Sequence, residues 1–114
     1  MSNKKTLKKN YEFKNVLNKG SFFIKEQIIV YITKNNKNEN YIGVAVNTKL
    51  CKAVKRNRLK RLIRESYRQI KPNLKKGYNI VFLWNKRTKI ENASFYIIHR
   101  DMLEAFSKAG IIEG

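Results

Sequence analysis

The sequence predicts a single α+β domain, an α/β sandwich with the element order α-β-β-α-β-α. The chain has 114 residues, a length that suits one domain. Hydrophobic residues make up 42% of it, which is enough for a packed core. The hydrophobic pattern also alternates along the chain between helical and strand spacing, with no internal repeat and no linker.

The first predicted helix follows a basic N-terminal arm. Residues 1–9 are polar and lysine-rich, and we expect them to form a flexible arm before one domain over residues 10–114. Asn10 can cap a helix that runs to about Lys19, where Gly20 ends it. Three apolar residues share one face of this helix: Phe13, Val16 and Leu17.

Two strands are predicted next, joined as a hairpin. Residues 21–34 and 41–47 are rich in β-branched and aromatic residues, with a possible break near Lys25, and the polar segment between them predicts a turn. Alternation directs six residues toward the core: Ile28, Val30, Ile32, Ile42, Val44 and Val46. Tyr31 then lies on the opposite face among small residues. These small residues are Gly43, Ala45 and Asn47. This face therefore has room for something outside the protein.

The strongest helix prediction covers residues 52–71, and Pro72 ends it. A stripe at 3.6-residue spacing faces the core: Leu59, Leu62, Ile63, Ser66, Tyr67 and Ile70. Residues 78–84 are typical of a buried strand, and because a helix precedes them, some parallel pairing is expected. Asn92 can cap a last helix that ends before Gly110.

Positive charge is the most unusual feature of the composition. The chain has 26 Lys and Arg against 8 Asp and Glu, a net charge of +18. Residues 1–76 hold 21 of the basic residues and only 4 of the acidic ones. A globular protein with this much self-repulsion is typical of those that bind a polyanion, and we expect the first two-thirds of the chain to contact it.

The predicted helix over residues 52–71 carries a row of like charges. An i,i+4 series runs along one face: Lys52, Arg56, Lys60, Arg64 and Arg68, flanked by Asn57 and Arg61. Four successive like pairs cost roughly 1–2 kcal/mol in the free protein. Five of the seven arginines lie in this helix, and arginine binds phosphate through a planar fork that lysine lacks. The pattern therefore indicates a surface for a nucleic-acid backbone rather than a solvated helix face.

Residues 53–64, with the sequence AVKRNRLKRLIR, resemble the RNR signature of the bacterial ribonuclease P protein family. LKKNYEF at residues 7–13 is similar to the opening helix of that family. IGVAV at residues 42–46 is similar to the strand before the signature. The resemblance covers roughly residues 5–85, in the order and spacing of the family.

The resemblance implies a left-handed βαβ crossover and the protein subunit of an RNA-catalysed enzyme that removes the 5′ leader of precursor tRNA. Together with the charge row, it gives eight candidate residues for contact with the ribonuclease P RNA: Lys52, Arg56, Asn57, Arg58, Lys60, Arg61, Arg64 and Arg68. A central cleft would bind the leader through Phe13, Leu17, Tyr31 and Lys49. Mg²⁺ would be held by the RNA and not by the protein alone.

The polypeptide has no catalytic constellation of its own in the sequence. The eight acidic residues are scattered, and neither His99 nor Cys51 stands in a nucleophile or metal-ligand pattern. A structural RNA-binding protein of ribosomal type and a basic DNA-binding protein stay open as alternatives. The apolar runs are too short to cross a bilayer and no secretory signal is present, so we expect a cytoplasmic protein without an obligate protein partner.

Overall fold

The computed structural model describes residues 6–7 and 10–113, which form three α-helices and one four-stranded sheet. In chain order these are α1 Asn10–Lys19, β1 Ser21–Ile24, β2 Ile28–Lys34, β3 Tyr41–Ala45, α2 Ala53–Ile70, β4 Tyr78–Trp84 and α3 Phe95–Ala109. Short 3-10 turns at Lys71–Asn73 and Ile90–Asn92 follow α2 and precede α3. The predicted α+β class is confirmed, and the first predicted strand is divided into β1 and β2 at residues 25–27.

The sheet has the order β1-β2-β4-β3, so the predicted hairpin between the strands on either side of residues 35–40 is wrong. β4 lies between β2 and β3, antiparallel to β2 and parallel to β3 as the intervening helix predicted. Ile80, Val81 and Phe82 of β4 are fully buried. A strand that is apolar on both faces is stable in the centre of a sheet, which explains its insertion there.

Residues 35–40 connect β2 to β3, which are not paired, and they hydrogen-bond to residues at the start of β4. The Asn35 N–H donates to the carbonyl of Gly77 at 2.9 Å. The Tyr78 N–H donates to the side-chain oxygen of Asn40, also at 2.9 Å. The polar residues of this segment therefore form hydrogen bonds with backbone groups at the start of β4, and the segment is not a hairpin turn.

The helices cover both faces of the sheet. α2 and α3 pack on the face that carries the main core, where the six inward strand residues and the apolar stripe of α2 are buried, apart from the partly buried Leu62. Tyr67 of α2 and Phe106 of α3 meet over Phe82, with ring centroids between 5.8 and 6.5 Å apart. Burial raises the pKa of Tyr67 to about 12. α1 packs on the other face, where Val16 is fully buried.

The last helix begins later than predicted. Ser94, and not Asn92, is the N-cap residue, and its side-chain oxygen accepts the N–H of Ile97 at 3.4 Å. Asn92 lies in the preceding 3-10 turn, where its carbonyl accepts a bond from the side chain of Gln27. Gly110 ends the helix as predicted, with a positive φ of 75°.

Positions 1–5 and 8–9 of the predicted N-terminal arm lie outside the described residues. Thr6 forms a parallel bridge with Ile42, and the Leu7 N–H donates to the Ile42 carbonyl at 2.9 Å. These two residues therefore lie along the outer edge of β3. Across the described part of the chain, every helix is too short or too polar to pass through a bilayer.

Candidate nucleic-acid interface

The outer face of α2 carries a shallow groove with a mainly cationic lining. α2 directs its apolar stripe toward the sheet, so the side chains on the opposite side of the helix point to solvent. Five of them line the groove, which we call the α2 groove: Asn57, Arg61, Arg64, Glu65 and Arg68. Its three arginines are all exposed.

One ion pair forms among the described residues of the α2 groove. Arg68 donates from Nε to Oε1 of Glu65 at 3.1 Å, one turn back along the helix. This hydrogen bond lowers the pKa of Glu65 and raises that of Arg68. Arg61 and Arg64 have no ion-pair partner within residues 6–7 and 10–113. Two guanidinium groups are therefore available to an anionic ligand.

Arg56 makes intramolecular contacts that the sequence did not predict. It is half-buried, and its Nη1 donates to the carbonyl of Cys51 at 2.8 Å and to that of Thr48 at 3.4 Å. The guanidinium thus holds the loop before α2 against the helix. The predicted i,i+4 row is consequently not one free surface, since Arg61 and not Arg56 joins Arg64 in the α2 groove.

Besides Arg56, three of the predicted RNA-binding residues do not line the α2 groove: Lys52, Arg58 and Lys60. Lys52 and Arg58 are exposed, whereas Lys60 is half-buried. Lys52 also lines a second groove, whose charged lining residues are four lysines and one glutamate: Lys52, Lys55, Lys86, Lys89 and Glu91. The first turn of α2 has no acidic residue and no side-chain cap, so the helix dipole adds to this positive potential.

The sheet face that bears α1 is only partly covered. The register aligns Phe22, Tyr31, Val81 and Gly43 in one row across the sheet. The adjacent row contains Ile24, Ile29, Leu83 and Ala45. Val81 and Gly43 are buried, while the other six are half-buried or exposed. We call these six the open sheet face: Phe22, Ile24, Ile29, Tyr31, Leu83 and Ala45.

The predicted cleft residues of α1 border the open sheet face. A side chain at Gly43 would overlap the ring of Phe13, so the glycine permits close approach of α1 to β3. Phe13 and Leu17, one helical turn apart, are both half-buried. Lys49 is exposed in the loop after β3, where its N–H donates to the side chain of Asn47 at 2.8 Å.

Tyr31 lies on the open sheet face as predicted, but it has an aromatic neighbour. The ring of Phe22 lies 5.7 Å from that of Tyr31, centroid to centroid, at an interplanar angle of 32°. Phe22 is 58% exposed, whereas the next residue, Phe23, packs against the core. The alternation in the segment SFFI was the signal that could have identified Phe22, because one of two consecutive phenylalanines in a strand must face outward.

Two polar side chains of α3, those of His99 and Asp101, make contacts within the protein. His99 stacks on Phe95 with ring centroids 5.6 Å apart. Asp101 is fully buried and accepts the N–H of Gln27 at 2.7 Å. Within the described ranges, His, Cys, Asp and Glu side chains do not gather in groups of three or more that could hold a metal ion.

This chain is similar in sequence and in fold to ribonuclease P proteins. A family model described as Ribonuclease P matches residues 1–110. The Ribonuclease P protein component of Clostridium botulinum strain Langeland is 40% identical over 106 residues, covering 92% of this chain and 94% of that protein. The corresponding protein of Natranaerobius thermophilus is 33% identical over 113 residues, covering 99% and 96%.

Comparison of the fold with solved structures also finds ribonuclease P proteins. The solved structure of the RNase P protein from Thermotoga maritima superposes with a TM-score of 0.81 at 29% identity, covering 96% of this chain and 98% of that one. The ribosomal-type and DNA-binding alternatives are not favoured by these similarities. The chain belongs to the Ribonuclease P protein family, and it is an accessory protein subunit, partnered by ribonuclease P RNA, of the RNA-catalysed enzyme that matures the 5′ end of tRNA.

Proposed function

We propose that the α2 groove binds ribonuclease P RNA and that the open sheet face, with the adjoining residues of α1, binds the 5′ leader of precursor tRNA. The observation that carries the first part is the pair of exposed guanidinium groups of Arg61 and Arg64, which lack carboxylate partners within the described residues. RNA phosphates would neutralise them and relieve the repulsion along α2.

The composition of the open sheet face supports the second part. Proteins that bind single-stranded nucleic acid combine exposed aromatic rings with nearby positive charge. Tyr31 supplies a ring on the sheet, Phe13 and Leu17 border it from α1, and Lys49 adds a cation in the loop after β3. A leader bound here would give the holoenzyme a preference for precursor over mature tRNA.

Mg²⁺ in this proposal is bound by the RNA and supplies the metal-ion chemistry of phosphodiester cleavage. The protein contributes positive charge that reduces repulsion between the phosphates of the two RNAs. It should therefore matter most when Mg²⁺ is scarce. The exposed residues of α2 extend this charge, including Lys52, Arg58 and, in part, Lys60. We also propose a cytoplasmic location, where precursor tRNA is made, and a single RNA-binding domain preceded by the basic arm.

Reconstitution of the full chain with ribonuclease P RNA tests the proposal. At low Mg²⁺ the protein should stimulate cleavage of a precursor tRNA strongly, and at high Mg²⁺ the stimulation should decrease. An equal rate with and without the protein at low Mg²⁺ would contradict the proposed role in the holoenzyme.

Substrates of different leader length separate the two proposed surfaces. The holoenzyme should bind a precursor with a leader of several nucleotides more tightly than mature tRNA, and Tyr31→Ala should reduce this difference. Tyr96→Ala, which removes an exposed aromatic ring from α3, is the matched control. Equal affinity for precursor and mature tRNA would remove the leader-binding surface while leaving the RNA-binding role of α2 in place.

A further inference from the structure

We propose that Phe22 is a further leader-binding residue, which forms with Tyr31 a two-ring platform on which two unpaired bases of the precursor leader stack, one on each ring. The inference rests on the proposed leader-binding function of the open sheet face. It adds a residue that favours precursor over mature tRNA, on β1, a strand that did not contribute to the predicted cleft.

The register fixes the side of the sheet on which Phe22 lies. Phe22 pairs with Tyr31 in the antiparallel β1–β2 ladder, and directly opposite residues of such a ladder project to the same face. Tyr31 in turn pairs with Val81, and Val81 with Gly43, which contacts the ring of Phe13. Phe22 therefore projects to the side of α1, away from the main core.

The exposure of Phe22 shows that the fold does not use this ring as core. Phe22 is 58% exposed, and Ile24, which follows it on the same side of β1, is 63% exposed. α1 covers the sheet at Val81 and Gly43, whereas Phe22 and Ile24 of β1 are exposed. Two large apolar side chains in succession thus extend the open sheet face to the edge of the sheet.

The geometry of the two rings suits a stacked base. Their centroids lie 5.7 Å apart and their planes are tilted by 32°, within the range in which aromatic rings attract one another. Contact with Tyr31 restrains the Phe22 ring on an otherwise open surface, which reduces the ordering cost of binding. Stacking is tolerant of base identity, because every base presents a π face.

The occupant we commit to is the single-stranded RNA of the leader, with one base on each ring. Phe22 lies beside the Tyr31 ring, which the leader is proposed to contact, and the chain carries a net charge of +18 that attracts a polyanion. A nucleotide one or more positions along the leader from the base at Tyr31 would reach Phe22, because neighbouring strands are about 4.8 Å apart.

The test uses the full chain assembled with ribonuclease P RNA and a set of precursor tRNAs that each carry one abasic site in the leader. Phe22→Ala should weaken precursor binding about tenfold, with unchanged affinity for mature tRNA and for ribonuclease P RNA. One abasic position should remove the difference between Phe22→Ala and the unmodified chain. That position should differ from the one that does so for Tyr31→Ala.

Two further variants distinguish stacking from the bulk of the side chain. Phe22→Trp should bind the precursor as tightly as the unmodified chain. Phe22→Leu, which keeps an apolar cover on Tyr31, should bind it nearly as weakly as Phe22→Ala. Tyr96→Ala on α3 is the matched control for loss of an exposed ring. Thermal unfolding of each variant confirms that the chain is folded at the assay temperature.

The outcomes separate this inference from the function on which it rests. Full affinity in Phe22→Ala with a loss in Tyr31→Ala would overturn the role of Phe22 and leave the leader-binding surface intact. An equal loss for precursor and mature tRNA would also overturn it, because the effect would then come from assembly. If leader removal changes nothing in any variant, the proposed leader-binding function fails and the inference fails with it.

Discussion

α2 and α3 lie side by side on the same face of the sheet, yet they use charge in opposite ways. Tyr67 of α2 and Phe106 of α3 contact each other, with ring centroids 6.5 Å apart, so the two helices share one core. Among the described residues, α3 pairs three of its four charged side chains within the protein, whereas α2 leaves most of its charged side chains without an ion pair.

The charges of α3 fasten it to the turn between β1 and β2. Arg100 donates to Glu26 at 2.7 Å and to Asp101 at 3.0 Å. Lys25 lies 2.8 Å from the carboxylate of Glu104. The pairs of Arg100 with Glu26 and of Glu104 with Lys25 join segments distant in sequence, so charge on this helix stabilises the fold. Arg61 and Arg64 of α2 make no such ion pair among the described residues, and we propose RNA as their partner.

The largest expected effect separates folding from binding on α3. Asp101→Ala should lower the free energy of unfolding by about 2–3 kcal/mol, because it leaves the buried N–H of Gln27 without an acceptor. Urea denaturation measures the change, with Ser107→Ala, an exposed position on the same helix, as the control. RNA affinity, measured at a temperature where the variant is folded, should be unchanged. A loss of affinity without a loss of stability would contradict the division between the two helices.

The corresponding change on α2 should affect binding and spare the fold. Arg61→Ala combined with Arg64→Ala should weaken binding of ribonuclease P RNA by about 2 kcal/mol, roughly thirtyfold, because two charge-assisted contacts to phosphate are lost. The slope of log affinity against log salt should decrease by about 0.7–0.9 for each contact removed. Stability should be equal or slightly higher, since repulsion along the helix is relieved.

The control for this pair removes the same charge elsewhere. Lys75→Ala combined with Lys108→Ala changes two exposed lysines outside α2. If both pairs reduce the salt slope equally, net charge alone determines binding and the α2 groove has no special role.

These contrasts also show which features local sequence could predict. The helical spacing of the stripe that contains Leu59 and Ile63 identified both the extent and the buried side of α2, because a helix repeats every 3.6 residues whatever it packs against. The limits of β4 at Tyr78 and Trp84 were likewise correct, since an apolar run between polar segments is a local signal.

Features that depend on long-range pairing were not predictable in this way. β4 lies between β2 and β3 in the sheet, although α2 separates it from both strands in sequence. The polar segment of residues 35–40 has the composition of a hairpin turn, but the strands on either side of it are not paired with each other. Local alternation places Phe22 and Phe23 on opposite faces of the sheet, but which of the two stays exposed depends on where α1 and the core cover the sheet. The contact of Arg56 with the carbonyl of Cys51 depends on the path of a loop that has no periodic pattern.

A smaller effect is expected at the one acidic residue of the α2 groove. Glu65→Gln should increase affinity for ribonuclease P RNA about two- to threefold, because Arg68 would no longer be shared with a carboxylate and one repulsive charge near the phosphates is removed. Glu104→Gln on α3 removes the same charge from an ion pair with Lys25 and should leave the affinity unchanged. An equal gain in both variants would show that the effect is general and not a property of the groove.

The smallest effect concerns the protonation of the same two glutamates. A hydrogen bond from Arg68 lowers the pKa of Glu65, and one from Lys25 lowers the pKa of Glu104. Because each folded-state pKa is below the unfolded value, each pair stabilises the fold above the ordinary pKa of glutamate, and this contribution is lost as the pH falls through the lowered value. Both pairs are at the surface, so the loss should be slight.

Binding of RNA should act on only one of these glutamates. If Arg68 turns to a phosphate, Glu65 loses its hydrogen bond and gains a negative neighbour, so its pKa should rise in the complex, while that of Glu104 should stay low. Titration of the two carboxyl carbons by NMR, in the free chain and in the complex, measures both directly. A Glu65 pKa that stays low in the complex would mean that Arg68 keeps its partner, and the binding surface would then reduce to Arg61, Arg64 and their unpaired neighbours.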